Sequence, residues 1–152
     1  MRLQRTDSDC AVAALQNALR GHGQRVGHGR ISRLLGEVGD GADEQDMLRA
    51  ICELGYAPAE VECNRHSYAC RWLKRMAPIW PCLLCVDDFG HWVVVGGALG
   101  HRLLLQDSGL LPYNLAEGGS TWLLPATIAR RWRAARRTSK GAVPYYGIAV
   151  MR

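Results

Sequence analysis

Cys10 has the sequence surroundings of a reactive thiol. It follows the segment 7–9, Asp-Ser-Asp, whose side-chain oxygens suit the free amides of a helix N-terminus. From Ala11 the apolar residues recur at helical spacing, and Gly21 ends the pattern. Cys10 is therefore predicted in the first turn of a mostly buried helix, where the helix dipole favours the nucleophilic thiolate. The alternative is a buried structural cysteine, a common role of this residue type.

Two other residues suited to catalysis lie far downstream. His91 begins a strongly β-branched segment, 91–97, and Asp107 ends the apolar segment 102–107, so the two segments predict a β-hairpin. A three-residue loop pairs His91 with Asp107, and there a carboxylate would hold the imidazole in one tautomer. A one-residue change of register pairs His91 with Gln106 instead. The alternative for this pair is a plain strand end and the start of a turn.

Gln4 is the fourth candidate. Its side chain precedes Cys10 by six residues in the sequence. If the incoming chain turns back beside the helix, the amide of Gln4 and the backbone N–H of Cys10 can both donate to an oxyanion. Together, a thiol, an imidazole, a carboxylate and an amide are the groups that cysteine-dependent acyl transfer requires.

The hydrophobic pattern predicts an α+β fold that holds these residues. Helices are predicted over about 10–20, 31–35, 44–54, 67–76 and 125–137, and strands over 56–63, 82–86, 91–97, 102–107 and 142–151. Asp43, with Asp46 three residues later, predicts a capped start for the third helix. N-terminal helices should therefore pack on a C-terminal antiparallel sheet. A length of 152 residues predicts one domain, 1–152.

These residues and their order resemble the papain-like cysteine peptidases. The shared pattern is Gln4 and Cys10 before an alanine-rich helix, then His91 before an aromatic residue and three valines, then Asp107 on the next strand. The segment 41–56 resembles the bacterial branch that cleaves double-glycine leader peptides. The likeness covers about residues 3–107. The sequence departs from the family pattern at two positions. Ala11 stands where the family usually has a glycine or small turn residue, and Ser108 stands where the family often has a proline.

The resemblance implies a papain-like fold and a hydrolase that cleaves a peptide bond through a thioester acyl-enzyme. Cys10 would be the nucleophile, His91 the acid and base, Asp107 its orienting partner and Gln4 an oxyanion donor. It implies a bacterial cytoplasmic enzyme with a peptide or protein substrate, associated with a membrane transporter or a modification enzyme. The same groups would also serve a deamidase or a transglutaminase-like acyltransferase. A non-catalytic peptide-binding module of this fold is the alternative from another class.

Composition limits the other functional classes. The net charge of +5 is weak evidence for an anionic partner, and no nucleic-acid-binding motif accompanies the basic residues of the predicted helix 125–137. A solvated basic face is therefore favoured over a nucleic-acid site. No secretory signal or membrane-spanning run is visible, so a cytoplasmic protein with reduced thiols is expected rather than one with disulfides.

The remaining cysteines do not predict a metal site. Cys82 and Cys85 have zinc-like spacing, but residues three apart on a strand point to opposite faces, so core packing is favoured. Cys63, His66 and Cys70, with Cys52 as a fourth ligand, are the other zinc candidates. They contain no closely spaced cysteine pair to anchor a site, and we expect neither a metal nor a cofactor.

Overall fold

A computed structural model describes residues 10–36, 43–86, 91–107, 119–132, 136–138 and 141–152. The helices are α1 (Cys10–Gly21), α2 (His28–Leu34), α3 (Glu44–Glu53), α4 (His66–Met76) and α5 (Pro125–Trp132). The strands are β1 (Ala57–Cys63), β2 (Cys82–Val86), β3 (His91–Leu99), β4 (Arg102–Gln106), β5 (Ser120–Leu123), β6 (Arg136–Thr138), β7 (Gly141–Val143) and β8 (Tyr145–Met151). The predicted α+β class is confirmed.

Six strands form one antiparallel sheet in the order β1-β8-β2-β3-β4-β5. The C-terminal strand β8 therefore lies inside the sheet, between β1 and β2. The strand β2 pairs along its whole length with the beginning of β3. Val86 lies opposite His91 at one end of this pairing, and Cys82 lies opposite Val95 at the other. This central pairing fixes where His91 enters the sheet.

Helices cover both faces of the sheet, because its inner strands are apolar on both sides. The first core packs α1, α2 and α3 against one face through side chains such as Leu15, Met47 and Trp92. The second core packs α4 and α5 against the other face, and it includes Leu73 and Trp132. The predicted packing of the N-terminal helices on the sheet is confirmed, and α4 and α5 add a third layer.

The local signals at α3 act as predicted. The Asp43 carboxylate accepts from the backbone N–H of Asp46 at 2.9 Å, and the Asp46 carboxylate accepts from that of Asp43 at 3.3 Å. Each side chain thus satisfies an amide that the helix itself leaves unpaired. Of the described helices, none is both long and apolar enough to cross a membrane.

The C-terminal third of the chain differs from the prediction. The predicted helix 125–137 is wrong at its C-terminal end, since residues 136–138 form β6, which pairs with β7. After Trp132 the sequence offers no large apolar side chain to extend the buried helix face. The predicted strand 142–151 is two strands, separated at Pro144, and residues 120–123 form β5, which was not among the predicted strands. Proline lacks the N–H that a continuous strand would need.

Candidate active site

Cys10 is the first residue of α1, as the sequence predicts. The helix is buried along almost its whole length because small residues, Ala11, Ala13 and Ala14, surround the Val12 and Leu15 positions. Small side chains allow a helix to approach a sheet closely, and α1 packs directly on β3. The helix thereby presents its N-terminal residue, 2% exposed, at the end of the sheet where β3 begins.

His91 lies at that same end of the sheet, as the first residue of β3. Its Nε2 atom lies 2.6 Å from Oδ1 of Asp107. Its ring is also hydrogen-bonded to the Cys10 side chain. Since Nε2 serves the carboxylate, Nδ1 is the ring nitrogen left for the thiol, which assigns the Nε2–H tautomer to the neutral ring. The structure therefore brings together three of the four residues singled out from the sequence.

The electrostatics of this cluster favour a charged imidazole. Burial by itself would lower the pKa of His91, since it disfavours the cation. The hydrogen bonds and charges of Asp107 and Cys10 outweigh burial and raise the pKa of His91 from 6.5 to about 9. At neutral pH the ring therefore holds a proton that it can pass to a neighbouring group.

Arg131 is a member of the cluster that sequence reasoning did not assign to it. Its guanidinium is ion-paired with Oδ2 of Asp107, the oxygen that His91 does not use. The sequence shows Arg131 only as part of a basic helix, 24 residues from Asp107. No periodicity or motif in the sequence links two residues at that separation. The contact between Arg131 and Asp107 is therefore seen only in the packing of α5 against the sheet.

Gln4 lies outside the described residues, and so do the predicted capping residues 7–9. Its role as an oxyanion donor stays a prediction.

The other cysteines have structural surroundings. Cys82 packs in the core beneath α4 and α5 and Cys85 in the core beneath α1, so the two point to opposite faces, as predicted. All six cysteines are reduced thiols. Burial raises the pKa of the Cys82 thiol, and also that of Cys63. The Cys70 sulfur lies 3.4 Å from Nε2 of His66, but no group of three or more potential metal ligands assembles within the described part of the chain.

Comparison with known proteins identifies the family. A sequence profile of the peptidase C39 family matches residues 1–118. The chain belongs to the peptidase C39 family. The match includes all four residues singled out from the sequence, Gln4, Cys10, His91 and Asp107. Among curated protein sequences none matches significantly.

Solved structures agree with this membership of the C39 family at the level of the fold. The peptidase domain of Streptococcus ComA, a bifunctional ABC transporter involved in quorum sensing, has a TM-score of 0.69 at 14% identity, covering 99% of this chain and 97% of that one. A double-glycine-motif protease from an AMS/PCAT transporter, solved with its leader peptide, has a TM-score of 0.67 at 17% identity, covering 99% and 89%. The peptidase domain of Streptococcus mutans ComA has a TM-score of 0.63 at 14% identity, covering 100% and 98%. The C39 chain described here is a papain-like cysteine peptidase by family and fold.

Proposed function

We propose that this C39 peptidase cleaves a peptide bond through a thioester formed on Cys10. The observation that carries the proposal is His91, whose ring is hydrogen-bonded to Asp107 on one side and to Cys10 on the other. A histidine between a carboxylate and a thiol has the arrangement that activates a cysteine nucleophile. A peptide-binding module has no requirement for such a chain of hydrogen bonds.

The reaction has two halves. In the first, the Cys10 sulfur, whose proton is held by His91, attacks the carbonyl carbon of the scissile bond, and His91 then gives that proton to the leaving amine as the C–N bond breaks. In the second, a water molecule gives a proton to His91 and attacks the thioester, which releases the acid and restores the thiol. Asp107 holds the ring in place throughout.

Gln4 and the backbone N–H of Cys10 are the proposed oxyanion donors. The amide of Cys10 lies at the N-terminus of α1, where the backbone N–H groups point outward from the end of the helix. Such a donor aimed at the developing charge stabilises the tetrahedral intermediate. The family match covers Gln4, which supports the same role for its side chain.

The proposed substrate is a peptide with a double-glycine leader. Two observations support this class: the family match, and the likeness in fold to a protease solved with such a leader peptide. By the same reasoning we propose that the enzyme acts as one domain in the bacterial cytoplasm, beside a membrane transporter or a modification enzyme. The structural neighbours belong to transporters, which supports this setting.

A product analysis tests the proposal. The enzyme is incubated with a synthetic double-glycine leader peptide, with and without an added primary amine, and the products are read by mass spectrometry. Hydrolysis predicts two fragments whose masses sum to that of the peptide plus one water, in both samples. An uncut peptide carrying an acid in place of a side-chain amide would indicate a deamidase. An amine adduct as the main product would indicate an acyltransferase, and an unchanged peptide bound to the protein would indicate a binding module.

A further inference from the structure

The carboxylate of Asp107 lies between two cationic side chains. Its side chain is only 4% exposed, whereas those of His91 and Arg131 are 18% and 24% exposed. Oδ1 of Asp107 contacts His91 and Oδ2 contacts Arg131. A buried carboxylate is costly unless it is paired and hydrogen-bonded, and this one has both of its oxygens satisfied.

Arg131 is held in place by the helix that carries it. The next residue, Trp132, is fully buried, and its indole Nε1 donates to the backbone carbonyl of Tyr146 at 2.8 Å. The Trp132 ring also packs edge-on against Tyr145 of β8. The backbone from which the Arg131 side chain extends is therefore anchored to the sheet, and the guanidinium is placed by its ion pair with Asp107.

The backbone of Asp107 is held separately. Its N–H donates to the carbonyl of Gly119 at 2.7 Å, just beyond the end of β4. This bond fixes the main chain but does not set the rotation of the carboxylate about its own side-chain bonds. A contact to the second oxygen is what fixes the plane of the carboxylate.

We propose that Arg131 is a positioning residue of the active site, which holds the Asp107 carboxylate so that Oδ1 stays directed at His91. The inference rests on the proposed function, since it assigns Arg131 a part in the same reaction. In this role Arg131 acts through Asp107 and not directly on the thiol or on the ring that transfers the proton. Its planar fork suits this task, because it binds a carboxylate with a defined orientation.

Two effects of Arg131 on His91 have opposite signs, which makes the inference testable. Among the described residues, the groups that act directly on the His91 ring are Asp107, which follows β4, and Cys10, from α1. As a positioning residue, Arg131 strengthens the hydrogen bond that stabilises the imidazolium, so its loss should lower the pKa of His91. If Arg131 acted only through its positive charge, it would offset the attraction between Asp107 and the imidazolium. Loss of Arg131 would then raise the pKa of His91.

The test is an NMR titration of the His91 ring in the full chain. The Cε1–H signal, assigned by its absence from His91→Gln, is followed against pH in the wild type, Arg131→Met and Arg131→Lys. We expect the midpoint near 9 in the wild type and lower by about 1 pH unit in Arg131→Met. The midpoint of Arg131→Lys should be intermediate, because lysine keeps the positive charge but lacks the planar guanidinium. Arg130→Met is the matched control, since Arg130 is the exposed neighbour on the same helix, and it should titrate like the wild type.

An unchanged or higher midpoint in Arg131→Met would overturn the inference, and Arg131→Gln provides the same comparison if the methionine variant does not fold. A parallel assay of kcat/KM should show a loss of about 10–100-fold in Arg131→Met and none in Arg130→Met. Because the titration needs no substrate, it separates this inference from the proposed function. If the wild type cleaves no peptide while the midpoint still falls in Arg131→Met, the reaction is wrong and the positioning role stands.

Discussion

His91 reaches Asp107 although the two residues are not opposite each other in the hairpin. Val94 pairs with Gln106, so one further step of the ladder would place Asp107 beside Val93, two residues from His91. Diagonal neighbours on one face of a sheet lie about 7–8 Å apart at the backbone, within reach of long side chains. The contact at 2.6 Å is therefore a diagonal one, and the position of His91 at the strand end leaves its ring close to Cys10 as well.

The raised pKa of His91 predicts the high-pH limit of activity. In the proposed reaction His91 must carry a proton to release the amine, and it loses this proton as the pH rises through about 9. We expect kcat/KM to fall above pH 9 in the wild type. In Asp107→Asn the negative charge that raises the pKa of His91 is lost and a neutral amide replaces the charge-assisted acceptor, so this limit should move toward neutral pH and kcat/KM should drop about 10²–10⁴-fold. A pH–rate profile of both proteins checks this, and an unmoved limit in Asp107→Asn would contradict it.

The same pKa predicts how stability depends on pH. The folded protein binds the His91 proton more tightly than the unfolded chain does, so this contribution to the free energy of unfolding is complete below pH 6.5. It is lost as the pH rises from 6.5 through 9. Urea denaturation at pH 6 and pH 9.5 should show a smaller decrease in His91→Gln than in the wild type. Equal decreases of the free energy of unfolding in the wild type and in His91→Gln would show that His91 has the same pKa in the folded and unfolded states.

Cys10 should be the most reactive of the six thiols at mildly acidic pH. Cys10 lies at the N-terminus of α1 and is hydrogen-bonded to the His91 ring, which are the surroundings typical of reactive cysteines. Since Cys10 is only 2% exposed, the reagent must be small, and iodoacetamide at pH 6 is suitable. Cys52 is an exposed thiol and serves as the comparison within the same protein. Peptide mapping should find the label on Cys10 in the wild type and little in His91→Ala, whereas faster labelling of Cys52 would count against the prediction.

Gln4 should affect turnover and not folding. Loss of one oxyanion donor typically reduces kcat about 10²–10³-fold. Gln4→Ala should show that loss with KM nearly unchanged. Gln4→Glu, which keeps the size but places a negative charge beside the oxyanion, should lose at least as much. A thermal melt controls for folding, and full activity in both variants would remove Gln4 from the site.

Gly147 should be essential for the packing of α5 on the sheet. A Cβ atom there would lie 3.0 Å from the Leu83 carbonyl oxygen and 3.0 Å from the Trp132 ring. Gly147→Ala should therefore lower the free energy of unfolding by about 1–3 kcal/mol, measured by urea denaturation. Gly96→Ala is a matched control within the same sheet, because its added methyl would lie 3.8 Å from the nearest atom, Cα of Pro81. Equal stability of the two variants would mean that the Trp132 contact can relax.

The local parts of the site could be predicted from the sequence. The start of α1 at Cys10 follows from residues with a helical pattern directly after it, and the identity of the two hairpin strands follows from their β-branched and apolar runs. These signals lie within a few residues of the element that they specify, so no tertiary information is needed to interpret them.

The register of the hairpin could not be predicted in the same way. Both registers considered are wrong, because Leu99 pairs with Arg102 across a two-residue turn and the ladder shifts at a bulge between Gly96 and Ala98. Gly97, with φ 67°, is the extra residue, and its positive φ is one that glycine adopts without strain. A bulge changes the pairing of every residue beyond it, and the apolar pattern on both sides of Gly97 bears no sign of it.

The contact between Arg131 and Asp107 was unpredictable for another reason. It depends on where α5 lies on the sheet, which is set by the burial of Trp132 against β8. A basic residue on a helix usually faces solvent, and no pattern distinguishes Arg131 from Arg130. Only the three-dimensional packing shows that one of these neighbours is exposed and the other reaches the site.

The most direct test of the proposed reaction is to capture the acyl-enzyme itself. The wild type is mixed with a double-glycine leader peptide, quenched in acid within the first turnover, and digested for mass spectrometry. The thioester mechanism predicts a leader-peptide adduct on the fragment that contains Cys10, in the wild type and in Cys52→Ala, with neither adduct nor cleavage in Cys10→Ala. Cleavage that continues at the wild-type rate in Cys10→Ala would contradict the assignment of Cys10 as the nucleophile.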